Sequence, residues 1–302
     1  MRSPLHRAAL AGVAVAVLLG AAGCGDQADA ASSDGSLRVV ASTNVWGDVV
    51  SAVGGDRVTV DSLIDDPSAD PHSFEANPRT QLAISRADLL VENGGGYDDF
   101  MTTLRENSDT KAAVVDAVDV SGKKAAAGGE LNEHVWYDVP TVKAVADRIE
   151  AALAKADPGA ADAFRSNNQT FQGELDALIA QEEAGKGPVA GAGIAITEPV
   201  PLYLTAAVGA VNRTPAEFSE AIEEGDDVSP AVLQKTLDLF SGQQVKALVY
   251  NEQTSGAETE QVLKAARVHG IAVVPVTETL PAGQHYVSWM RGNLDAVVAA
   301  LS

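Results

Sequence analysis

The chain has 302 residues, 46% of them hydrophobic, with 21 basic and 42 acidic side chains and a formal net charge of −21 at pH 7. This acidity argues against nucleic acid as a partner, whereas the length and apolar content suffice for an ample core, which we expect to form two lobes. Because Cys24 is the only cysteine, no disulfide forms within the chain and packing must stabilise the fold.

The N-terminus has the pattern of a secretion signal. Arg2 and Arg7 precede an apolar run over residues 8–22, which is too short to span a membrane as a mature helix. We predict a lipoprotein signal peptide over residues 1–23. Its removal takes away both arginines and no acid, which leaves 19 basic against 42 acidic residues, a net charge of −23.

Cys24 follows Ala-Gly, an arrangement that resembles the bacterial lipobox, in which the thiol is lipidated after the signal is cleaved. Ala21 stands where leucine is most common, and a soluble secreted protein with an incidental cysteine is the alternative. Residues 24–36, rich in Ala, Ser, Asp and Gly, are predicted to be a flexible tether. We therefore expect an extracytoplasmic lipoprotein anchored to the outer face of the cell membrane.

Short β-branched runs alternate with helical patterns along the rest of the chain. In the first half, strands are predicted over 37–43, 58–64, 87–92 and 112–116, and helices over 45–53, 79–86 and 98–105. In the last third, strands are predicted over 193–197, 246–250 and 271–276, and helices over 202–208, 230–239, 258–269 and 287–301. Alternation of this kind predicts parallel βαβ units, whose functional loops follow the carboxyl ends of the strands.

Between these two sets of strands and helices the pattern is helical. One helix is predicted over 142–154 and a longer one from Ala160 to about Glu183, which we expect Gly and Pro at 185–188 to end. Roughly 24 helical residues would extend for about 36 Å, enough to run along both lobes. The predicted fold is α/β, with an N-terminal α/β lobe over 37–140, a helical connector over 141–187 and a C-terminal α/β lobe over 188–302.

Two motifs contain two of the five histidines. Asp-Pro-His-Ser-Phe-Glu at 70–75 places His72, and Asn-Glu-His-Val-Trp-Tyr-Asp at 132–138 places His134, each where a strand, loop and helix are expected to meet. Imidazole is a versatile ligand for transition metals, and a loop held by proline can aim it with little freedom left. The two segments are interpreted as halves of one metal site, with Trp136 and Tyr137 packing beside His134.

Two carboxylates follow predicted strands of the second lobe. Glu198 comes after Ile-Ala-Ile-Thr, and Glu278 comes after Val-Val-Pro-Val-Thr. An acid at a strand end is individually more often solvated than functional. Two acids and two histidines projecting into one cleft would nevertheless make a closed coordination sphere.

In these motifs and their order, the mature chain resembles the cluster A-I (cluster 9) zinc/manganese ABC transporter solute-binding lipoproteins. The resemblance implies two α/β lobes with mainly parallel sheets, bridged by a long rigid helix, and a metal site in the cleft between the lobes. It implies that residues matching His72, His134, Glu198 and Glu278 bind one divalent ion, Mn²⁺ or Zn²⁺, as the transported ligand. His285 is a rival to Glu278 for the fourth position.

The resemblance also bears on which metal is bound. Many zinc-specific members carry a third histidine where Glu198 stands, and often a histidine-rich loop before the second motif, whereas residues 121–133 here contain no histidine. Two nitrogens and two carboxylates suit Mn²⁺ by ligand type. Zn²⁺ accepts the same groups and ranks above Mn²⁺ in intrinsic affinity, so both metals stay open.

The function implied is delivery of metal to a membrane permease driven by an ATPase. The sequence contains neither a permease-like membrane segment nor a phosphate-binding loop, so both partners are expected to be separate chains, and the binding protein itself to be a monomer. We expect no enzymatic activity. The alternatives are a surface adhesin or interaction lipoprotein and, third, a secreted metallohydrolase, which would need an open metal position and a general base.

Overall fold

A computed structural model describes residues 35–66, 74–125 and 130–302 of the chain, and it contains two parallel sheets of the same topology. In the first lobe the strands are β1 (Leu37–Thr43), β2 (Val58–Ile64), β3 (Leu89–Glu92) and β4 (Ala113–Asp116), and the helices are α1 (Asn44–Gly54), α2 (Pro78–Arg86), α3 (Asp99–Glu106) and α4 (Ala117–Ser121). The spatial order is β2-β1-β3-β4, with all neighbours parallel.

Two helices connect the lobes, α5 (Val139–Ala156) and α6 (Ala161–Val189). Asp138 caps α5 by accepting a hydrogen bond from Thr141 N, and Pro140 occupies the first turn, where its missing N–H costs nothing. At 29 residues, α6 is about 43 Å long and packs against α1 and α5. The expectation of a helix along both lobes is confirmed, because α6 also packs against the last helix of the second lobe, Tyr286–Leu301.

The predicted end of α6 at residues 185–188 is wrong. The helix continues through Pro188 to Val189. Pro188 lies in the last turn, so that little helix remains for it to interrupt. Gly185 is buried, and a methyl group there would lie 3.0 Å from Val298 and 3.2 Å from Val208, so close packing accounts for a glycine that sequence rules assign to a helix end.

The second lobe repeats the strand order of the first. Its strands are β5 (Gly193–Ile196), β6 (Val211–Asn212), β7 (Ala247–Asn251) and β8 (Ala272–Val276), and its helices are α7 (Leu202–Ala207), α8 (Ala216–Glu223), α9 (Pro230–Ser241), α10 (Ala257–Val268) and α11 (Tyr286–Leu301). The order β6-β5-β7-β8 is again parallel throughout. Three 3₁₀ turns complete the described elements, at Gly55–Arg57, Val135–Tyr137 and Pro158–Ala160.

The two lobes share one apolar core. A continuous cluster of buried side chains runs from Val39 on β1, through α5 and α6, to Leu301 at the end of α11. β6 and α8 were not predicted from the sequence, because a two-residue strand and one short acidic helix carry too little periodicity. The predicted lobe boundaries at 140 and 187 stay a prediction, since the shared core crosses both.

Within the residues that the structure describes, no helix combines the length and the apolarity needed to cross a membrane.

Candidate metal site

The strand order of the second lobe brings its carboxylates together. In a sheet ordered β6-β5-β7-β8, the crevice opens between β5 and β7, where the connections leave toward opposite sides. Glu198 lies two residues beyond β5, Asn251 is the last residue of β7, and Glu278 lies two residues beyond the neighbouring β8. All three side chains therefore meet at the carboxyl edge of the sheet.

Asn251 ties the two glutamates to each other. Its amide nitrogen donates one hydrogen bond to Glu198 Oε2 and another, of 2.9 Å, to Glu278 Oε1. The backbone N–H of Asn251 donates to the hydroxyl of Thr197 at 2.9 Å, which fixes the strand end beside Glu198. Glu198 and Glu278 are each 2% exposed, so both carboxylates are withdrawn from solvent.

His134 reaches the same place from the first lobe. Asn93, which follows β3, donates from its side chain to the carbonyl of Glu133 at 2.9 Å and so holds the segment that carries the histidine. His134 is fully buried. Its Nε2 lies 3.8 Å from Glu278 Oε2 and 3.4 Å from Oε1 of Glu223, the last residue of α8.

Asn132 determines which nitrogen of His134 is available. The Oδ1 atom of Asn132 accepts from His134 N at 3.1 Å and from Nδ1 at 2.8 Å, while its amide donates to the carbonyl of Pro199 at 3.1 Å. Because an amide oxygen only accepts, Nδ1 carries a proton in both the charged and the neutral imidazole, and Nε2 is the nitrogen that can release its proton and bind a metal. This orientation by a hydrogen bond to the other ring nitrogen is typical of histidines that bind metal.

Aromatic side chains close one flank of the imidazole. The rings of Trp136 and Tyr97 lie 5.1 Å and 5.8 Å from the ring of His134, centroid to centroid. The Tyr137 hydroxyl donates to the carbonyl of Thr277 at 2.7 Å, across the lobes. Trp136 and Tyr137 are both buried, in agreement with the packing role predicted for them.

Several polar atoms of this cluster are left without hydrogen bonds. Among the described residues, His134 Nε2, Glu198 Oε1 and Glu223 Oε1 are buried and have no hydrogen-bond partner. Buried polar groups are normally satisfied, because desolvation without compensation costs about 1–3 kcal/mol for each group. An imidazole nitrogen and carboxylate oxygens left in this state are the donor set that a divalent cation would satisfy.

The electrostatics of the cluster also favour a cation. Burial and the Glu278 carboxylate raise the pKa of Glu198 to about 7, and burial raises the pKa of Glu223 to about 8 although His134 opposes it. Burial disfavours the charged imidazole, but the carboxylates of Glu278, Glu223 and Glu133 outweigh it and raise the pKa of His134 to about 9. Protons therefore offset the negative charge in the absence of metal, and a divalent cation would displace them.

The structure brings together three of the four predicted ligands, His134, Glu198 and Glu278. His72 and Cys24 lie outside the described residues, so their predicted roles stay predictions. His285 lies at the start of α11, with an 84% exposed side chain whose Nδ1 is 2.7 Å from Asp48 Oδ1. His285 is therefore paired with Asp48 at the surface, whereas Glu278 lies 3.8 Å from His134, and the choice between the two as a ligand stays a prediction.

Glu223 and Asn132 have parts in the site that the sequence did not reveal. The sequence identified Asn132 only as the first residue of the second histidine motif and predicted no role for it. Glu223 belongs to a run of acids at 223–227 that looks like a solvated helix end. Only the folding of α8 over the crevice places its carboxylate against His134.

A solvent-open cavity leads to the cluster. Its volume is about 660 Å³, and its wall includes five glutamates, Glu130, Glu133, Glu220, Glu223 and Glu224. Glu223 therefore lies both on the wall of this cavity and against the buried imidazole. A concave surface lined by one sign of charge raises the local concentration of cations.

Comparisons with known proteins find relatives over most of the chain. The family model described as ZnuA, the periplasmic zinc-uptake complex component A, matches residues 39–300. The manganese-binding lipoprotein MntA of Bacillus subtilis (strain 168) is 26% identical over 258 residues, covering 83% of this chain and 82% of that protein.

Solved structures share the fold. The periplasmic zinc-binding protein TroA from Treponema pallidum superposes with a TM-score of 0.76 at 20% identity, over 89% of this chain and all of that one. The solute-binding protein FpvC from Pseudomonas aeruginosa, in complex with Mn²⁺, gives a TM-score of 0.73 at 25% identity, over 88% of this chain and 98% of that one.

Proposed function

Because this chain belongs to the family of the periplasmic zinc-uptake complex component A, we propose that it is the solute-binding protein of a metal ABC importer. It binds one divalent transition metal ion, Mn²⁺ or Zn²⁺, outside the cytoplasm and delivers the ion to a membrane permease. The observation that carries the proposal is the convergence of one buried imidazole nitrogen, oriented by Asn132, with buried glutamates from separate loops.

The proposed ligands from the two sequence motifs and the two strand ends are His72, His134, Glu198 and Glu278. Support for the last three is their proximity and burial around the crevice of the second sheet. Support for His72 is its motif alone. With ligands drawn from both lobes, the ion itself becomes a contact between them, and its binding stabilises only the folded chain.

The ligand chemistry bears on the choice of metal. Carboxylate oxygens are hard ligands that bind through one or both atoms and so allow the higher coordination numbers of Mn²⁺. Zn²⁺ binds nitrogen and oxygen ligands tightly at four-coordination, and it stands above Mn²⁺ in the Irving–Williams order. A carboxylate-rich set supports Mn²⁺ as cargo, and competition between the two metals tests this directly.

Solute-binding proteins of this kind work with a permease and an ATPase, which we propose are separate chains that a monomer of this protein serves. A transport role needs no chemistry beyond binding and release, and we propose that the chain is not an enzyme. A hydrolase would instead keep a water on the metal beside a general base.

The test of the proposed site is a pair of substitutions. His72→Ala and His134→Ala are each expected to lower metal affinity by at least about tenfold and to remove the metal-dependent rise in melting temperature. Lys124→Ala is the control, because Lys124 is exposed, whereas Lys123 contacts Asp138 at 3.2 Å. Wild-type affinity in both histidine variants would contradict the site.

We further propose that a lipid on Cys24 anchors the protein to the outer face of the membrane. The support is the lipobox-like context of Cys24 after an apolar signal. Cys24→Ser is expected to release the protein from the membrane fraction while purified protein binds metal unchanged. A variant that stays with the membrane after a carbonate wash would exclude lipidation as the anchor.

A further inference from the structure

We propose that Glu223 is itself a ligand of the transported ion and that it favours Mn²⁺ over Zn²⁺ in this chain. The inference rests on the proposed function and adds a residue that neither histidine motif nor either strand end supplies. It concerns α8, an element of the second lobe that begins after Pro215 and ends at Glu223.

The first support is position. Glu223 Oε1 lies 3.4 Å from His134 Nε2, closer than the 3.8 Å between that nitrogen and Glu278 Oε2. Glu133, His134 and Glu223 each offer a ligand atom within 4.8 Å of the others. The carboxylate of Glu223 therefore lies in the space that His134 Nε2 faces.

The second support is that Glu223 is largely buried and that one of its carboxylate oxygens lacks a hydrogen bond. Its side chain is 11% exposed, and in the part of the chain that the structure describes its Oε1 atom is buried with no hydrogen-bond partner. A carboxylate that merely ended a helix would extend into solvent, where ionisation costs nothing. A buried carboxylate oxygen that lacks a hydrogen bond is unfavourable unless a cation compensates its charge.

The third support is access. Glu223 lines the acidic cavity that opens to solvent, while His134 is fully buried behind it. An ion approaching through the cavity meets the Glu223 carboxylate at the point where the wall of the cavity reaches the imidazole. A ligand at that point can bind the ion without any movement of the β-sheet.

The chemistry then determines the direction of selectivity. Glu223 would add a third glutamate, a hard anionic ligand, to Glu198 and Glu278 and so raise both the negative charge and the number of ligands around the ion. Mn²⁺ gains from an additional carboxylate, because it prefers oxygen ligands and higher coordination. Zn²⁺, already satisfied by four ligands, gains less.

A purely structural role predicts a different outcome. If Glu223 served only to position His134 through their contact, its loss would weaken both metals equally and would lower the melting temperature of the metal-free protein. If Glu223 is a ligand, its carboxylate destabilises the metal-free protein, because it adds a third buried acid to Glu198 and Glu278. Its loss then does not lower the melting temperature of the metal-free protein.

The experiment compares Glu223→Gln with Glu217→Gln in the mature protein, using Mn²⁺ and Zn²⁺ as the probes. Both substitutions replace one carboxyl group of α8 with an amide, but Glu217 is exposed in the first turn of the helix, whereas Glu223 contacts His134. Glu223→Gln is expected to weaken Mn²⁺ binding by about tenfold or more and Zn²⁺ binding by less than about threefold, without lowering the metal-free melting temperature. Glu217→Gln is expected to change both affinities by less than about twofold.

Unchanged Mn²⁺ affinity in Glu223→Gln would overturn the inference, as would equal losses for both metals together with a destabilised metal-free protein. A crystal structure of the wild-type protein with Mn²⁺ gives an independent answer, with a Glu223 oxygen expected at about 2.0–2.6 Å from the ion. A carboxylate beyond bonding distance there would also overturn it. A wild-type protein that binds neither metal would refute the proposed function instead.

Discussion

Asn132 makes the orientation of His134 a property of the loop rather than of the metal. The asparagine accepts from both the backbone and Nδ1 of His134, and its other amide atom donates to the loop that follows Glu198. The hydroxyl of Tyr203 donates to the carbonyl of Asn132 at 2.6 Å and holds it from the second lobe. One residue thus couples the imidazole of one lobe to the strand end of the other.

Asn132→Ala is expected to lower metal affinity by about 10–100-fold, because the imidazole loses the acceptor that keeps Nδ1 protonated and Nε2 aimed. Competition with a metal chelator measures the affinity of the folded variant. Asn107→Ala, at an exposed position after α3, is the matched control and is expected to behave as wild type. A folded Asn132→Ala protein with wild-type affinity would show that His134 needs no such support.

Glu198→His is expected to raise the ratio of zinc to manganese affinity by about tenfold, mainly by weakening Mn²⁺. The change replaces a hard, potentially bidentate anion with a neutral nitrogen, which Zn²⁺ tolerates better. Glu252→His, exposed beside the end of β7, makes the same chemical change outside the crevice and serves as the control. An unchanged or lower ratio in competition titrations would remove Glu198 from the ligands.

The residues of the site differed in how far they could be predicted. His134, Glu198 and Glu278 stand in motifs or directly after apolar strands, and parallel strands bring such positions to one edge of a sheet. Glu223 has no such signal, because its place depends on how α8 folds over the crevice. The ligand roles of all these residues, and of His72, stay predictions until metal binding is measured.

Helix α6 contains an acid that no metal role requires. Glu182 is buried, its Oε1 has no hydrogen-bond partner among the described residues, and burial together with Asp138 raises its pKa to about 7. In the unfolded chain the pKa of a glutamate is near 4.5. As pH rises from about 4.5 to 7, the unfolded chain loses this proton before the folded one, so that stability falls.

Glu182→Gln is therefore expected to raise the free energy of unfolding at pH 8 by about 1–2 kcal/mol and to have little effect at pH 5. Urea denaturation of the metal-free protein at both pH values measures this difference. Glu183→Gln is the control, since its carboxylate is 70% exposed and pairs with Lys186 at the surface. A gain that is the same at both pH values would contradict the assigned titration.

At the level of elements, local patterns predicted the bounds of β1 and β2 fully and those of most other strands within about two residues. The apolar runs of β1, β3 and β7 are buried on both faces, which makes their strand signal strong. The predicted end of α6 was wrong for the opposite reason. Gly185 and Pro188 end helices by local rules, but Gly185 packs against Val208 and Val298, which are distant in sequence. Such tertiary contacts cannot be predicted from the local pattern.

The whole molecule is held together by more than its connecting helices. Asn44, at the start of α1, donates to the carbonyl of Leu280 at 2.9 Å and accepts from its N–H at 2.8 Å, which joins the two lobes. The Tyr286 hydroxyl donates to the carbonyl of Trp136 at 2.7 Å, beside the candidate metal site. With a common apolar core, these bonds are expected to limit the lobes to small adjustments around the ion.

Asn44→Ala is expected to destabilise the protein by about 1–3 kcal/mol, because both backbone groups of Leu280 lose their partner across the lobes. Chemical denaturation measures the change. Ser51→Ala removes a hydrogen bond made within α1 alone, from the Ser51 hydroxyl to the carbonyl of Gly47, and is expected to cost less than about 1 kcal/mol. Equal losses in the free energy of unfolding for the two variants would show that the contact between the lobes stabilises the protein no more than a hydrogen bond within α1.

The proposed function requires the crevice between the lobes to bind one divalent metal ion. Titration of the mature protein, stripped of metal with a chelator, with Mn²⁺ and with Zn²⁺ tests this binding, with calorimetry and melting curves as the readouts. We expect saturation at one ion per chain and a melting temperature that rises with metal concentration. The absence of saturable binding, or saturation without any gain in stability, would refute the proposed metal site.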